Sequence, residues 1–194
     1  MSEKGYLGAQ QLLEDSFRLG AEVVKSGFRP TMMIAIWRGG APVGVAVQEL
    51  LAYCGIETDH IAIRTSSYTG IDGRSTEIRI HGMNYLIKKV RHEDSLLIVD
   101  DVFDTGSTID AVIRHLGEKA RLNTPHDIRV AVPYFKPTRN LTNRIPQYYL
   151  HETEQWLKYP HSLEGLSREE VAAHRPVLHE ILAPVLSSQT PDSA

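Results

Sequence analysis

Residues 96–108 (LLIVDDVFDTGST) combine side chains at a spacing suited to binding phosphate and a divalent cation. A short apolar run predicts a buried strand that ends in two adjacent carboxylates, Asp100 and Asp101. The turn that follows is rich in small donors and leads into a helical pattern. Backbone N–H groups at a helix N-terminus bind phosphate, and carboxylate oxygens bind hydroxyls or a metal ion. The segment therefore predicts a phosphate pocket beside a hydroxyl or metal site.

Strand and helix patterns alternate along most of the chain. Apolar residues three or four apart predict helices, and short continuous apolar runs predict buried strands. Helices are predicted over residues 9–25, 42–51 and 109–116, and strands over residues 31–37, 61–64, 96–99, 128–132 and 148–150. This alternation is typical of an α/β fold with a mostly parallel sheet flanked by helices. Ligands bind at the carboxyl ends of strands in such sheets, which is where the Asp100–Asp101 pair is expected.

A long hairpin is predicted between residues 65 and 82. This segment contains Gly70, Gly73 and Gly82, and apolar residues alternate with polar ones over residues 76–80. Loops of this length in compact domains are often lids over a site. We therefore expect residues 65–82 to form a mobile lid.

Composition and charge exclude several classes of protein. The chain has 194 residues, of which 42% are hydrophobic, so it has enough apolar surface for a globular core. The formal net charge of −3 provides no general attraction for nucleic acid. The longest apolar run, residues 32–37, is far too short to span a membrane. A single cysteine, Cys54, favours a reducing cytoplasm, and we expect its side chain to be buried.

Residues 96–108 resemble the phosphoribosyl-diphosphate signature of the type I phosphoribosyltransferases. Residues 34–44 (IAIWRGGAPVG) are similar to the family's diphosphate-binding loop, in which Arg-Gly-Gly separates an apolar strand from a helix. The Ser66-Ser67-Tyr68 segment opens the predicted hairpin where the family's closing loop carries Ser-Tyr. The resemblance spans about residues 1–161, and its motifs occur in the family's order.

Two further motifs resemble the purine-specific members of that family. Tyr134-Phe135-Lys136-Pro137 is similar to the purine-contacting Lys-Pro segment. Residues 156–160 (WLKYP) are similar to the Trp-Ile…Pro segment of the xanthine-guanine phosphoribosyltransferases. The resemblance therefore implies the type I phosphoribosyltransferase fold with a small hood, closest to the xanthine-guanine and hypoxanthine enzymes.

The activity implied by this resemblance is purine salvage. A ribose 5-phosphate group would pass from phosphoribosyl diphosphate to a 6-oxopurine (hypoxanthine, guanine or xanthine), and pyrophosphate would be released. The cofactor would be Mg²⁺, and the protein would be a cytoplasmic homo-oligomer, either a dimer or a tetramer, that binds neither nucleic acid nor membrane.

The resemblance also implies a role for individual residues. The catalytic residues would be Asp104, which faces the base nitrogen, and Asp100 and Asp101, which lie under the ribose hydroxyls and hold the metal. The substrate-binding residues would be Arg38 and Gly39 at the pyrophosphate, Ser67 and Tyr68 in the closing loop, Thr105, Gly106, Ser107 and Thr108 at the 5′-phosphate, and Lys136, Trp156 and Leu157 at the base. From residue type alone, Arg38, Lys136 and Trp156 have structural alternatives: a surface arginine, a solvated loop lysine and a core aromatic.

The C-terminal segment departs from the strand–helix alternation. Ser167 and Glu170 have the spacing of a capping box, and Pro176 is expected to kink or divide the helical region that follows. We therefore expect a phosphoribosyltransferase domain with its hood over residues 1–163, a helical extension over residues 164–186, and a disordered tail over residues 187–194.

Two other functions remain open at this stage. The same fold could transfer the ribose 5-phosphate group to a different base. It could also serve as a non-enzymatic, nucleotide-sensing regulator. The intact Asp104 and Arg38 favour a working enzyme over a regulator, since binding alone does not require both.

Overall fold

Strands and helices alternate along the part of the chain that the computed structural model describes, residues 4–69 and 76–188. The strands are β1 (Lys4–Tyr6), β2 (Met32–Trp37), β3 (Asp59–Thr69), β4 (Thr76–His81), β5 (Ser95–Val99), β6 (Val102–Phe103), β7 (Asp127–Phe135), β8 (Tyr148–Glu152) and β9 (Trp156–Lys158). The helices are α1 (Ala9–Lys25), α2 (Gly40–Tyr53), α3 (Asn84–Lys89), α4 (Ser107–Ala120), α5 (Arg168–His174) and α6 (Pro176–Ser187).

The main sheet is mostly parallel. Its strand order is β4-β3-β2-β5-β7-β6, and β8 also pairs with β7. The β3–β4 hairpin is antiparallel, whereas the described pairings of β2 with β3 and β5, and of β7 with β5, β6 and β8, are parallel. The predicted α/β fold with a mostly parallel sheet is therefore confirmed.

Each face of the sheet is buried against a different pair of helices, because successive residues of a strand point to opposite faces. In β2, Met33 belongs to an apolar cluster with α1 and α2, and Ile34 belongs to a second cluster with α3 and α4. In β5, Leu97 and Ile98 divide between the same two clusters. Burying each of these side chains contributes about 1.5–3 kcal/mol relative to leaving it exposed, so the central strands are firmly held.

The three central strands β2, β5 and β7 are adjacent and parallel, so they end at the same edge of the sheet. Asp100 follows β5 directly, Lys136 follows β7 directly, and Arg38 is the first residue after β2. Three residues that are far apart in sequence are thereby brought to one edge.

A small second sheet and the two C-terminal helices lie beside this edge. Strand β1 pairs in parallel with β9, and we call these two strands the hood. Helix α5 begins with the predicted capping box, in which Glu170 N–H donates to Ser167 Oγ and Ser167 N–H donates to a Glu170 carboxylate oxygen. Pro176 separates α5 from α6, as its position in the sequence predicts.

The burial of Cys54 differs from the prediction, and parts of the predicted tail and hairpin lie outside the described residues. Cys54 is exposed, so the expected burial is wrong: it caps the C-terminus of α2, where the helix ends in solvent. Ser187 ends α6, and residues 189–194 of the predicted tail lie outside the described residues, as does the hairpin tip at residues 70–75. None of the helices in residues 4–69 and 76–188 has both the length and the apolar character to cross a membrane.

Candidate functional site

Two neighbouring carboxylates occupy the end of the central strand β5. The backbone N–H of Asp100 donates to Ala131 O of β7 (3.2 Å), and the N–H of Asp101 donates to Asp100 Oδ1 (2.9 Å). The hydroxyl of Tyr159 donates to the main-chain oxygen of Asp101 (3.0 Å). These contacts hold both acidic residues in place, and both residues line the two cavities described below.

The surrounding protein makes ionisation of this pair unfavourable. Loss of hydration raises the pKa of Asp100 well above its ordinary value, and the neighbouring Asp101 raises it further. The same loss of hydration raises the pKa of Asp101 to about 6. A bound cation would favour the charged form of both groups.

This donor set fits a magnesium ion shared with a substrate. No group of three or more histidine, cysteine or acidic side chains within residues 4–69 and 76–188 is arranged to hold a metal by itself. Magnesium does not need such a cage, because it is commonly bound by one or two carboxylates together with substrate phosphates and water. Asp100 and Asp101 supply carboxylates of this kind.

The predicted phosphate turn follows the carboxylates and leads into α4. Gly106 has a left-handed backbone (φ 77°), and a Cβ there would lie 2.5 Å from Thr142 Oγ1 and 2.7 Å from the Phe103 ring. Only glycine therefore fits this turn. Thr105 Oγ1 donates to Ser107 Oγ (3.1 Å) and accepts from Ser107 N–H (3.3 Å).

A cavity of 170 Å³ lies over this turn. It is lined by Asp100, Asp101, Val102, Phe103, Asp104, Thr105, Gly106, Thr108 and Ile109. The backbone N–H groups of the first turn of α4 are close at hand, so the cavity suits an anion. The structure thus brings all three predicted aspartates together with Thr105, Gly106 and Thr108 of the predicted phosphate residues. Ser107 does not line this cavity, and it contacts Thr105 beside it.

The loop after β2 packs directly on the carboxylates. A Cβ on Gly39 would lie 1.9 Å from Asp101 Oδ2, and one on Gly40 would lie 2.8 Å from Val99 O. The loop can approach so closely only because these two residues lack side chains. The peptide bond between Trp37 and Arg38 is cis.

A second cavity, of 320 Å³, lies between this loop and the carboxylates. Its lining residues are Ile36, Trp37, Arg38, Gly39, Thr65, Asp100, Asp101, Thr108, Tyr159, His161 and Ser162. It shares Asp100, Asp101 and Thr108 with the first cavity, so the two are adjacent. The Arg38 guanidinium also forms an exposed ion pair with Glu164 (2.6 Å).

Asp104 connects the phosphate turn to a third group of predicted residues. Lys136 Nζ lies 3.3 Å from Asp104 Oδ2, and Arg139 Nε lies 2.9 Å from Asp104 Oδ1. Lys136 is only 3% exposed, which rules out a solvated loop lysine. Its ammonium lies 5.5 Å from the ring centroid of Trp156, which is 47% exposed. The aromatic ring of Trp156 and the buried ammonium of Lys136 thus lie side by side.

The remaining predicted residues lie further from these cavities or outside the description. Ser67 is exposed on β3, two residues beyond the cavity-lining Thr65. The side chain of Tyr68 lies outside the described part of the structure. Leu157 is half-buried and packs on the apolar cluster of α1 and α2.

Several site residues were missed by sequence reasoning. Tyr159 lies inside the recognised WLKYP segment, so its neighbours gave a signal for it. Arg139 follows Lys136 by three residues and could have been noticed as a second cation. Glu164 had no signal, because it meets Arg38 only after the chain folds.

Comparison with known proteins identifies the family to which the chain belongs. The chain matches the family model described as the phosphoribosyl transferase domain over residues 5–164. No curated protein sequence gives a significant match.

Solved structures show the same fold. The purine phosphoribosyltransferase of Pyrococcus horikoshii is 25% identical, with a TM-score of 0.65 over 84% of this chain and 97% of that one. A Neisseria gonorrhoeae protein solved with bound ppGpp is 20% identical, with a TM-score of 0.68 over 93% and 98%. The xanthine-guanine-hypoxanthine phosphoribosyltransferase of Helicobacter pylori is 15% identical, with a TM-score of 0.62 over 96% and 100%. With its family match over residues 5–164, the chain belongs to the phosphoribosyltransferase family.

Proposed function

We propose that this protein transfers the ribose 5-phosphate group of phosphoribosyl diphosphate to a 6-oxopurine and releases pyrophosphate. The observation that carries the proposal is the buried Lys136 beside the half-exposed ring of Trp156. A lysine ammonium can only donate hydrogen bonds, so it suits the oxo group of hypoxanthine, guanine or xanthine. It repels the amino group that adenine carries at the same position.

The proposed chemistry uses the three parts of the site in one step. The bond between the anomeric carbon and pyrophosphate breaks, and its electron pair leaves with pyrophosphate. The lone pair of the purine nitrogen forms the new bond to carbon, and Asp104 accepts the proton that this nitrogen loses. Arg38 and the backbone at Gly39 stabilise the negative charge that gathers on the leaving group.

The other residues hold the donor substrate. Backbone and hydroxyl groups of Thr105, Gly106, Ser107 and Thr108 bind the 5′-phosphate, and Asp100 and Asp101 accept hydrogen bonds from the ribose hydroxyls. A magnesium ion held by these carboxylates would supply further charge stabilisation to the diphosphate. The predicted closing loop with Ser67 and Tyr68 would exclude water from the reacting carbon.

The comparisons support purine as the base class. The Pyrococcus horikoshii protein, at 25% identity, is described as a purine phosphoribosyltransferase. Residues 134–137 and 156–160 resemble the base-contacting segments of purine enzymes. Lys136 of the first segment contacts Asp104 and lies beside the ring of Trp156 in the second.

Pyrophosphate release from phosphoribosyl diphosphate, measured against a panel of bases, tests this proposal. We expect turnover with hypoxanthine, guanine or xanthine, and a far lower kcat/KM with adenine or uracil. Preferred use of adenine or uracil would contradict the roles of Lys136 and Trp156, and the sugar-phosphate site would then serve a different base.

A second candidate is nucleotide binding without turnover. The ppGpp bound in the Neisseria gonorrhoeae protein favours it, because that ligand carries two diphosphate groups on a guanine nucleoside. Calorimetric titration with ppGpp, together with the base panel, separates the two candidates. Tight binding without turnover of any base would favour a nucleotide-sensing regulator over an enzyme.

A further inference from the structure

We propose that Arg175, in the C-terminal extension beyond the matched family domain, is a positioning residue for phosphoribosyl diphosphate. It would act by fixing the turn at residues 159–162. This turn borders both Asp101 and the loop after β2 that carries Arg38. This inference rests on the proposed use of phosphoribosyl diphosphate but not on the identity of the base.

Arg175 binds this turn through three main-chain oxygens. Its Nη1 donates to Ser162 O (2.7 Å) and Pro160 O (3.2 Å), and its Nη2 donates to Tyr159 O (2.6 Å). The planar guanidinium presents several donors in a fixed arrangement, so one side chain can hold three carbonyls in one geometry. Lysine has a single charged nitrogen and cannot reproduce that pattern.

The turn at residues 159–162 contacts the site at two points. Tyr159, which is 6% exposed, donates its hydroxyl to Asp101 O at 3.0 Å. His161 and Ser162 line the 320 Å³ cavity together with Arg38. A shift of the turn would therefore move both Asp101, which follows β5, and the wall of the 320 Å³ cavity.

Arg175 is itself held by the body of the protein. It lies between α5 and α6, and its backbone N–H donates to Val171 O (2.8 Å). Glu170 of α5 pairs with Lys4 and accepts from Tyr6 Oη (3.0 Å), which ties α5 to the hood. The guanidinium thus connects an anchored helix to the turn, and its contacts are with backbone oxygens and not with a reacting group.

The location of the turn predicts which substrate is affected. Residues 159–162 border the diphosphate side of the site, whereas Lys136 and Trp156 form the base side. Removing the guanidinium should therefore weaken the binding of phosphoribosyl diphosphate much more than it changes the KM for the base.

The test compares Arg175→Met with Arg29→Met. Arg29 also donates to two main-chain oxygens, those of Val24 and Phe28, but it precedes β2 and so lies toward the opposite edge of the sheet. Calorimetric titration with phosphoribosyl diphosphate and Mg²⁺ should give a Kd about tenfold higher for Arg175→Met, equivalent to about 1.4 kcal/mol. For Arg29→Met the change should be less than about twofold, the scale of an unrelated surface substitution.

A double-mutant cycle tests whether the effect passes through the turn. Tyr159→Phe keeps the ring and removes only the hydroxyl that bonds Asp101, and it should also raise the Kd. If Arg175 acts through Tyr159, the combined variant should bind only slightly more weakly than the weaker single variant. If the factors by which the two single substitutions raise the Kd simply multiply in the combined variant, Arg175 does not act through Tyr159.

Other outcomes also decide the question. An unchanged Kd for Arg175→Met overturns the inference, as does a rise in Kd that is matched by an equal rise in the KM for the base and a lowered melting temperature. Native protein that binds phosphoribosyl diphosphate but converts no 6-oxopurine would contradict the proposed function alone, because the titration needs no base. Native protein that does not bind it would overturn both.

Discussion

Lys136 Nζ lies 3.3 Å from Asp104 Oδ2, and this contact joins the proposed base side of the site to the predicted phosphate turn. Arg139 approaches the other carboxylate oxygen at 2.9 Å. A buried ammonium is costly unless it is paired, so Asp104 makes the burial of Lys136 possible. The pairing also holds the ammonium beside the Trp156 ring, at the proposed binding site for the purine.

Replacing this ammonium should relax the choice of base. Lys136→Met keeps the length and apolar stem of the side chain but removes its donors. An ammonium binds an oxo group and repels an amino group, so under the proposed role of Lys136 the ratio of kcat/KM for hypoxanthine to that for adenine should fall by at least about tenfold. Steady-state kinetics with both bases measures the ratio. Trp156→Leu is the matched control, since loss of stacking should raise the KM of all accepted purines alike, and an unchanged ratio in Lys136→Met would contradict the assignment.

The main sheet, and the position of the predicted aspartates at its edge, could be predicted because their signals are local. The apolar run before Asp100 specifies a buried strand by itself, and parallel strands bring their ends to one edge wherever the partners lie in the chain. The burial of Lys136 was harder to predict, because residue type alone does not indicate that its side chain is buried.

The features that were missed depend on contacts between distant parts of the chain. Strands β1 and β9 have three residues each, too few for a periodic pattern, and they form because Lys4 pairs with Trp156 across most of the sequence. The contacts of Arg175 with the backbone at residues 159–162 carry no sequence signature either, since any residue supplies a carbonyl.

Asp101→Asn should separate activity from stability. The substitution keeps the shape of the side chain and removes one charge, so kcat/KM should fall by on the order of a hundredfold. Because burial raises the pKa of Asp101 to about 6, its ionised form opposes folding at neutral pH, and the melting temperature should stay the same or rise.

The control for this variant is Asp127→Asn, at the opposite end of β7 from the site. The carboxylate of Asp127 pairs with Arg129 (2.9 Å), so the substitution removes one negative charge and a local ion pair far from the site. It should therefore leave kcat/KM within about twofold of the native value. Excess chelator should abolish turnover by the native enzyme. Full activity in chelator would remove magnesium from the proposed function.

Gly39→Ala should disrupt the site through a steric clash. The added Cβ would lie 1.9 Å from Asp101 Oδ2, so either the loop or the carboxylate must move. A displacement of about 1 Å in a reacting group can reduce the rate by about a hundredfold, and we expect kcat/KM to fall on that scale.

Gly117→Ala is the matched control for this clash. Gly117 lies inside α4, and its added Cβ would meet nothing within 4 Å, so helix propensity should stabilise the protein by about 0.5–1 kcal/mol without loss of activity. Native-like kinetics in Gly39→Ala would show that the loop and Asp101 are not in close contact in solution.

Glu170 should make the attachment of α5 to the hood sensitive to acid. Its hydrogen bond with Lys4, helped by the Ser167 N–H and the Tyr6 hydroxyl, lowers the pKa of Glu170 to about 2. An unfolded glutamate has a pKa of about 4.3, so the ionised form stabilises the fold above that pH. The contribution is lost progressively as the pH falls from about 4.3 towards 2.

The measurement is amide hydrogen exchange of α5 and thermal unfolding, each followed from pH 6 down to pH 3. Glu170→Gln should unfold at a lower temperature than the native protein at pH 6. The difference should narrow towards pH 3, because the glutamate of the unfolded chain, with a pKa of about 4.3, takes up a proton in this range while the folded one stays ionised. Glu180→Gln, an exposed change on α6, should give no such pH-dependent difference. A difference between Glu170→Gln and the native protein that stays constant down to pH 3 would mean that the charge of Glu170 does not hold α5 to the hood.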